Sequence, residues 1–205
     1  MSALHIPEQC GVILLPDCTL FPHGGLPLHI FEPRYRKMLE DAIEGDCLFA
    51  VARLLGEETA DQGDCTAPIG TIGLIRASHE QADGTSHLLL HGVIRVKFLE
   101  WHFDKPYPFA SIEPQLTFFE PVEKAPAAIQ TLRGAVEDAI RPLAPEVKEA
   151  VMGLLHRADE PGILTDIVAQ QFVHDPEVRQ RILETDSAGA RIPLICDYLR
   201  KVSHD

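Results

Sequence analysis

The residues of this chain that could do chemistry are its ten histidines, its five cysteines and a few serines, so their spacing decides what reactions are open to it. His87 and His91 stand four residues apart, a spacing that suits a metal on a helix. The run around them reads as a strand, where that spacing puts both on one face but too far apart to share a cation. Cys18 and His23 could form a thiolate and imidazole pair, yet no signature of a cysteine hydrolase surrounds them. Ser78, His79 and Glu80 are merely consecutive, which is not triad geometry. His29 alternates with Leu28 and Ile30 and, like His23, reads as a packed or hydrogen-bonded residue and not a base. Cys10, Cys18, Cys47, Cys65 and Cys196 are odd in number and contain no C-x-x-C pair, so free thiols in a reducing compartment are expected. The expectation is a protein without a catalytic centre, metal or cofactor.

A second group of residues points to binding. Arg34, Arg36 and Lys37 sit near the start of a helix opened by Pro33, where the macrodipole disfavours each cation by ~0.3 to 1 kcal/mol. Either neighbouring carboxylates pair with them or a ligand uses them. A formal charge of -13 and acidic balance in both halves exclude a broad polyanion-binding face, so neither nucleic acid nor an anionic membrane is an expected partner. No run approaches the ~18 to 20 apolar residues needed to cross a bilayer, and no secretory leader is read at the N-terminus. A cytoplasmic location follows as the expectation.

The elements that must position these residues centre on Phe21 to Leu39. Gly24 and Gly25 offer a turn in which positive φ carries no Cβ penalty, and Pro27 favours an extended Leu26. The following helix carries Tyr35, Met38, Leu39, Ala42 and Ile43 as one apolar stripe, with Glu32 as N-cap and Gly45 as its C′ residue. Gly11 to Leu15, Cys47 to Leu54, Ile69 to Ala77, Ser86 to Trp101 and Phe109 to Glu113 read as strands, with Asp83-Gly84 as a hairpin turn. In the long strand, Ile94, Val96 and Phe98 alternate with Arg95 and Lys97, the pattern of one buried and one wet face. Gly56 to Pro68 reads as a mobile polar loop.

Beyond Phe119 the period changes to that of helices. Pro126, Pro145 and Pro161 open three, Asp175-Pro176 caps a fourth, and Ser187 caps a last one in which Pro193 marks either a kink or the true start. Strands followed by helices give an α+β chain in two parts, residues 1–120 and residues 121–205.

The run from Gly11 to Tyr35, G-V-I-L-L-P-D-C-T-L-F-P-H-G-G-L-P-L-H-I-F-E-P-R-Y, resembles the opening of the Lon protease N-terminal, substrate-binding domain. Gly45 to Val51, Ile69 to Ile75, His91 to Phe98 and Lys105 to Ala110 resemble later segments of that family, with Val96 where its strand often has Phe. Pro161 to Ala169 resembles a segment of its helical half. The resemblance implies a PUA-like β-barrel subdomain with one embedded helix, followed by a C-terminal helical bundle. It also implies recognition of exposed apolar segments of unfolded or tagged polypeptides, or of a protein partner. No G-x-x-x-x-G-K-[ST] loop is present, and the chain is too short for the family's ATPase and protease modules, so a stand-alone, non-enzymatic recognition domain is expected.

Phe21, Leu26, Phe31 and Tyr35 are the candidate apolar contacts, with Arg34 and Lys37 as their polar rim. Core packing competes for each, and more strongly for Phe31 and Tyr35. Phe118 and Phe119, adjacent and extended, point to different sides at the junction of the two parts and are candidates too. The rival reading is a small-molecule binder or hydrolase using a pocket between barrel and bundle. A third is a surface that serves only a homo-oligomer.

Overall fold

The computed structural model describes residues 5–59 and 62–202, and the chain divides into two compact units, Met1–Gln115 and Leu116–Asp205. The first unit contains the strands Gln9–Leu15 (β1), Gly25–Ile30 (β2), Leu48–Arg53 (β3), Ile69–Glu80 (β4), Ser86–His102 (β5) and Phe109–Gln115 (β6). Two helices accompany them, Pro33–Glu44 (α1) and the single turn Gln62–Cys65 (α2). The second unit is helical, with Ala125–Ala139 (α3), Pro145–Leu155 (α4), Pro161–Phe172 (α5), Pro176–Glu184 (α6) and Ala188–Val202 (α7). The class is α+β.

The six strands form one sheet in the order β2-β5-β4-β3-β1-β6, and β6 pairs again with β5. Among the described residues the ladders therefore run β5–β4–β3–β1–β6 and return to β5, and β2 pairs with β5 outside this circuit. β1 and β3 are parallel, with Val12 opposite Ala50, while the other pairs are antiparallel. The alternation of side chains sorts the apolar residues into two clusters. Val12 and Leu14, Leu48, Ala50 and Ala52, Ile72, Val96, and Ala110 and Ile112 form one cluster, to which every strand of the circuit contributes. Ile13, Phe49 and Val51 face the other way and pack with Ile30, Leu88 and Leu90 against Tyr35, Met38 and Leu39 of α1. Both faces of β3 are thus covered, and all six of its residues are buried. Each of the three α1 side chains contributes about 1.5 to 3 kcal/mol by leaving water.

Several local expectations change. Neither Gly24 nor Gly25 takes positive φ; His23 does, at 63°. The Gly24 N–H donates to the Phe21 carbonyl at 3.0 Å, so Phe21 to Gly24 is a turn with Pro22 first and His23 in the place a type II turn reserves for left-handed backbone. Gly45 ends α1 through its N–H to Asp41 and Ala42, but with φ of -100°; the left-handed residue is Cys47, at 57°. Arg95 is not wet. It is buried, its guanidinium 5.9 Å from the centre of the Phe21 ring, because the Leu20 and Phe21 segment covers that face of β5. The expected loop carries α2 and is tied down beyond it, where Leu55 N–H donates to Cys65 and Ala67 N–H to Arg53. Residues 60 and 61 of that loop lie outside the described residues.

In the second unit α7 packs against α3, α5 and α6. The Asp175 side chain accepts from the Val178 N–H at 2.9 Å and caps α6, and α7 begins at Ala188 and runs through Pro193. Its core contains an ion pair. Arg191 on α7 is wholly buried and reaches Asp166 on α5 at 3.2 Å. The same guanidinium donates to the Thr185 and Asp186 carbonyls and to Thr117 Oγ1.

Candidate functional site

The residues expected to bind do not gather on one surface. Phe21 is fully buried beneath Gly92, and Tyr35 lies in the core with its hydroxyl accepting from the Leu14 N–H at 3.2 Å, so neither contributes to an exposed face. Leu26 is half-buried and packs on the α1 cluster. Phe31, by contrast, is 59% exposed. It follows β2 directly, on the side of the strand where His29 and Pro27 also emerge, and its ring centre lies 5.8 Å from that of His29. Register places Pro27 opposite Leu89 and His29 opposite His87 on β5, and β4 adds Ala77 and His79 to the same face. These side chains are all exposed. Sequence reasoning missed Leu89, Ala77 and the imidazoles, since only sheet register puts them beside Phe31.

Of the three cations at the start of α1, Arg34 and Lys37 are held by carboxylates, while the Arg36 guanidinium lies against Gly84 of the β4–β5 turn. Arg34 pairs with Glu32 at 2.9 Å and Glu58 at 2.5 Å and lies 4.5 Å from the centre of the Tyr35 ring. Its hydrogen bond to Glu58 raises its pKa further above the ordinary arginine range. Lys37 pairs with Asp41 at 3.0 Å and Glu40 at 3.2 Å. Phe118 and Phe119 belong to the second unit. Phe118 is 46% exposed and is fixed by backbone pairing to Asp186 and Ala188, and Phe119 is half-buried beside Gly189.

A recess of about 230 Å³ in the first unit offers a test of catalytic chemistry. Met38, Phe49 and Cys10 line it with Asp41, Tyr107 and Lys105. The Tyr107 hydroxyl donates to Asp41 at 2.6 Å, which, with Lys37 and Lys105, brings the Asp41 carboxyl down to about 2. Tyr107 is raised by burial and by that same carboxylate, and burial pushes the Cys10 thiol up to about 12. Asp41, Tyr107 and Cys10 are thus shifted away from neutrality, in the direction that opposes proton exchange or nucleophilic attack near pH 7. Among the described residues no group of three or more His, Cys, Asp or Glu side chains is gathered as a metal cage, and no helix is long and apolar enough to cross a membrane.

Residues 10–201 match the family described as the ATP-dependent protease La (LON) substrate-binding domain. The chain belongs to that family. It is 27% identical over 196 residues to a Lon protease of Desulfosudis oleivorans and 27% identical over 199 residues to one of Anaeromyxobacter dehalogenans. These alignments cover 95% and 96% of this chain but 24% and 23% of the two proteases, so the chain spans about a quarter of their length. Among solved structures, the N-terminal domain of a Mycobacterium avium complex Lon protease superposes with a TM-score of 0.76 at 13% identity, covering 94% of this chain and 98% of that one. A Lon N-terminal domain protein from Xanthomonas campestris gives 0.65 at 18% identity, covering 93% and 98%. The fold of this Lon-type domain is thereby shared with both.

Proposed function

We propose that this chain is a non-catalytic recognition module that binds extended, apolar polypeptide segments, with the face of β2, β5 and β4 beside Phe31 as the contact surface. The observation that carries the reading is the exposure of Phe31, a large aromatic that directly follows β2. An exposed aromatic among Pro27, Leu89 and Ala77 suits an apolar side chain of a partner. Arg34 and Lys37, already neutralised by Glu58 and Asp41, form a rim that orients a partner more than it attracts one. Phe118 offers an independent apolar contact on the second unit. The family membership supports the substrate class, polypeptide, and the acidic balance of the chain disfavours polyanions.

The test is fluorescence anisotropy with labelled apolar peptides, comparing the wild-type chain with Phe31→Ser and with Leu99→Ser. Leu99 is 57% exposed on β5, outside the segment of that strand that pairs with β2, and serves as the control. Loss of one well-packed aromatic anchor lowers affinity by about tenfold or more, whereas the control stays within about twofold. Equal affinity of all three proteins removes Phe31 from the site.

A further inference from the structure

The helix α4 presents two different faces. Leu155 is buried, and Val151 and Met152 are half-buried, on the side where α4 meets α3 and α5. The Arg133 guanidinium on α3 donates to the Leu155 and Ala158 carbonyls at 3.1 and 3.0 Å, so the end of α4 is held in place. Val147 and Leu154 stand in water instead, 47% and 43% exposed. A recess on the outward side is lined by Glu146, Glu149, Ala150, Gly153, Leu154 and Arg157, all exposed and all from α4 or the turn that follows it. That turn keeps helical bonding, with the His156 N–H donating to the Met152 carbonyl at 2.9 Å and the Arg157 N–H to Leu154 at 3.2 Å, so Arg157 stays in line with the face.

The order of residues along this face is reciprocal. Two copies of α4 laid antiparallel, with a two-fold axis between Ala150 and Gly153, set Glu146 of each opposite Arg157 of the other. Glu149 then meets Leu154, and Ala150 meets Gly153. A parallel pairing would set Glu146 against Glu146 and Arg157 against Arg157, so charge selects the antiparallel one. Among the described residues Glu146, Glu149 and Arg157 form no ion pair within the chain, which leaves them available to a second one. Ala150 and Gly153 carry no side chain beyond Cβ, and a Cβ added at Gly153 would meet nothing within 4 Å. The two helix axes can therefore close to about 8 Å, where Leu154 of each copy covers the crossing.

We propose that this face of α4 is a docking surface for a second copy of the chain, which seats antiparallel across it to form a two-fold dimer. The acidic start of the helix in one copy meets the basic end in the other, and the apolar and small residues between them make the contact. One helix face from each copy buries less than the ~1,200 Å² at which standard interfaces begin, so the dimer is weak and forms reversibly. The surface lies in the second unit and stands independently of polypeptide binding at Phe31.

Sedimentation velocity of the full chain from about 10 μM to about 1 mM tests this directly. The expected result is a reversible monomer–dimer equilibrium, weakened by about tenfold or more in Leu154→Asp and in Arg157→Glu and unchanged in the control Glu137→Arg on α3. Glu146→Arg/Arg157→Glu rebuilds each charge pair with its signs exchanged and restores association to within about threefold of wild type. Circular dichroism verifies that the variants, all at exposed positions, remain folded. A chain that stays monomeric throughout overturns the proposal, as does a dimer that Leu154→Asp leaves intact. A double variant as weak as Arg157→Glu overturns the antiparallel seating and the proposal with it. A monomeric chain whose affinity for labelled apolar peptides falls in Leu154→Asp also overturns it, by giving the face to a foreign segment.

Discussion

Replacing Asp166 by asparagine strips the counter-charge from a guanidinium that has no contact with solvent. Arg191 has 0% side-chain exposure and Asp166 3%. The Thr185 and Asp186 carbonyls and Thr117 Oγ1 still accept from Arg191 in the variant, and the asparagine Oδ1 can replace one carboxylate oxygen as an acceptor. What disappears is the compensation of a buried charge. Breaking such a pair costs about 3 to 5 kcal/mol, so Asp166→Asn belongs near about 3 and Asp166→Ala, which also loses the acceptor, near about 5. For a chain of this size the smaller figure lowers Tm by about 6 to 12 °C. Urea unfolding followed by helical ellipticity measures it, because α5 and α7 carry the pair. Trp101 on β5, the single tryptophan, reports the first unit separately through its fluorescence. The double variant Asp166→Leu/Arg191→Met removes both charges and recovers much of the loss, which gives a coupling energy from the cycle. A cost below about 1 kcal/mol for Asp166→Asn, or a double variant as unstable as the sum of the single ones, would refute the reasoning.

Two other outcomes follow from close contacts in the first unit. In Gly92→Ala the new Cβ would collide with the Phe21 carbonyl oxygen, a backbone atom that moves only with the Pro22 and His23 turn, so a loss of about 1 to 3 kcal/mol is expected in Trp101-monitored urea unfolding. A loss of only a few tenths would mean that the approach is looser than it stands. Tyr107→Phe removes the largest contributor to the low Asp41 pKa, and a carbon-detected NMR titration should show that carboxyl rising from about 2 toward the ordinary range. Because the folded pKa lies below the unfolded value of about 3.9, Asp41 contributes stability above that pH and loses it as the pH falls toward 2. The variant therefore loses part of this contribution at neutral pH and is less stable than wild type there, and an unchanged Asp41 titration contradicts the role given to the hydroxyl.

Local signals were enough for most elements. Pro33, Pro145, Pro161 and Pro176 begin their helices because a first-turn residue has no intrahelical N–H bond to lose, and Asp83-Gly84 makes its hairpin with Gly84 at φ of 77°. Side-chain alternation announced β5, and a short apolar run closed by Pro16 announced β1. What sequence could not show is which strand lies beside which. The parallel pairing of β1 with β3, the return of β6 to β5 and the row His29, His87, His79 are all long-range choices of register. Burial of Arg95 and Arg191 was equally hidden, since a strand or helix pattern marks a charged residue as wet unless a distant segment covers it. The candidate surface suffered from the same limit. Phe31 and Phe21 look alike in the family stretch, yet a turn at His23 sends one inward, and the strand end leaves the other in water.

The pairing of the strands also sets how firmly each is held. Among the described residues every strand of the circuit is fastened along two ladders, so removing one breaks both, whereas β2 has the ladder to β5. β2 can therefore peel from β5 while the ring keeps its own bonds, and its opening free energy lies below that of the frame behind it. The strand that leads into Phe31 and carries His29 is thus a detachable rail on a fixed hoop, able to trade its ladder with β5 for one with an incoming chain while the core clustered within the hoop stays shut.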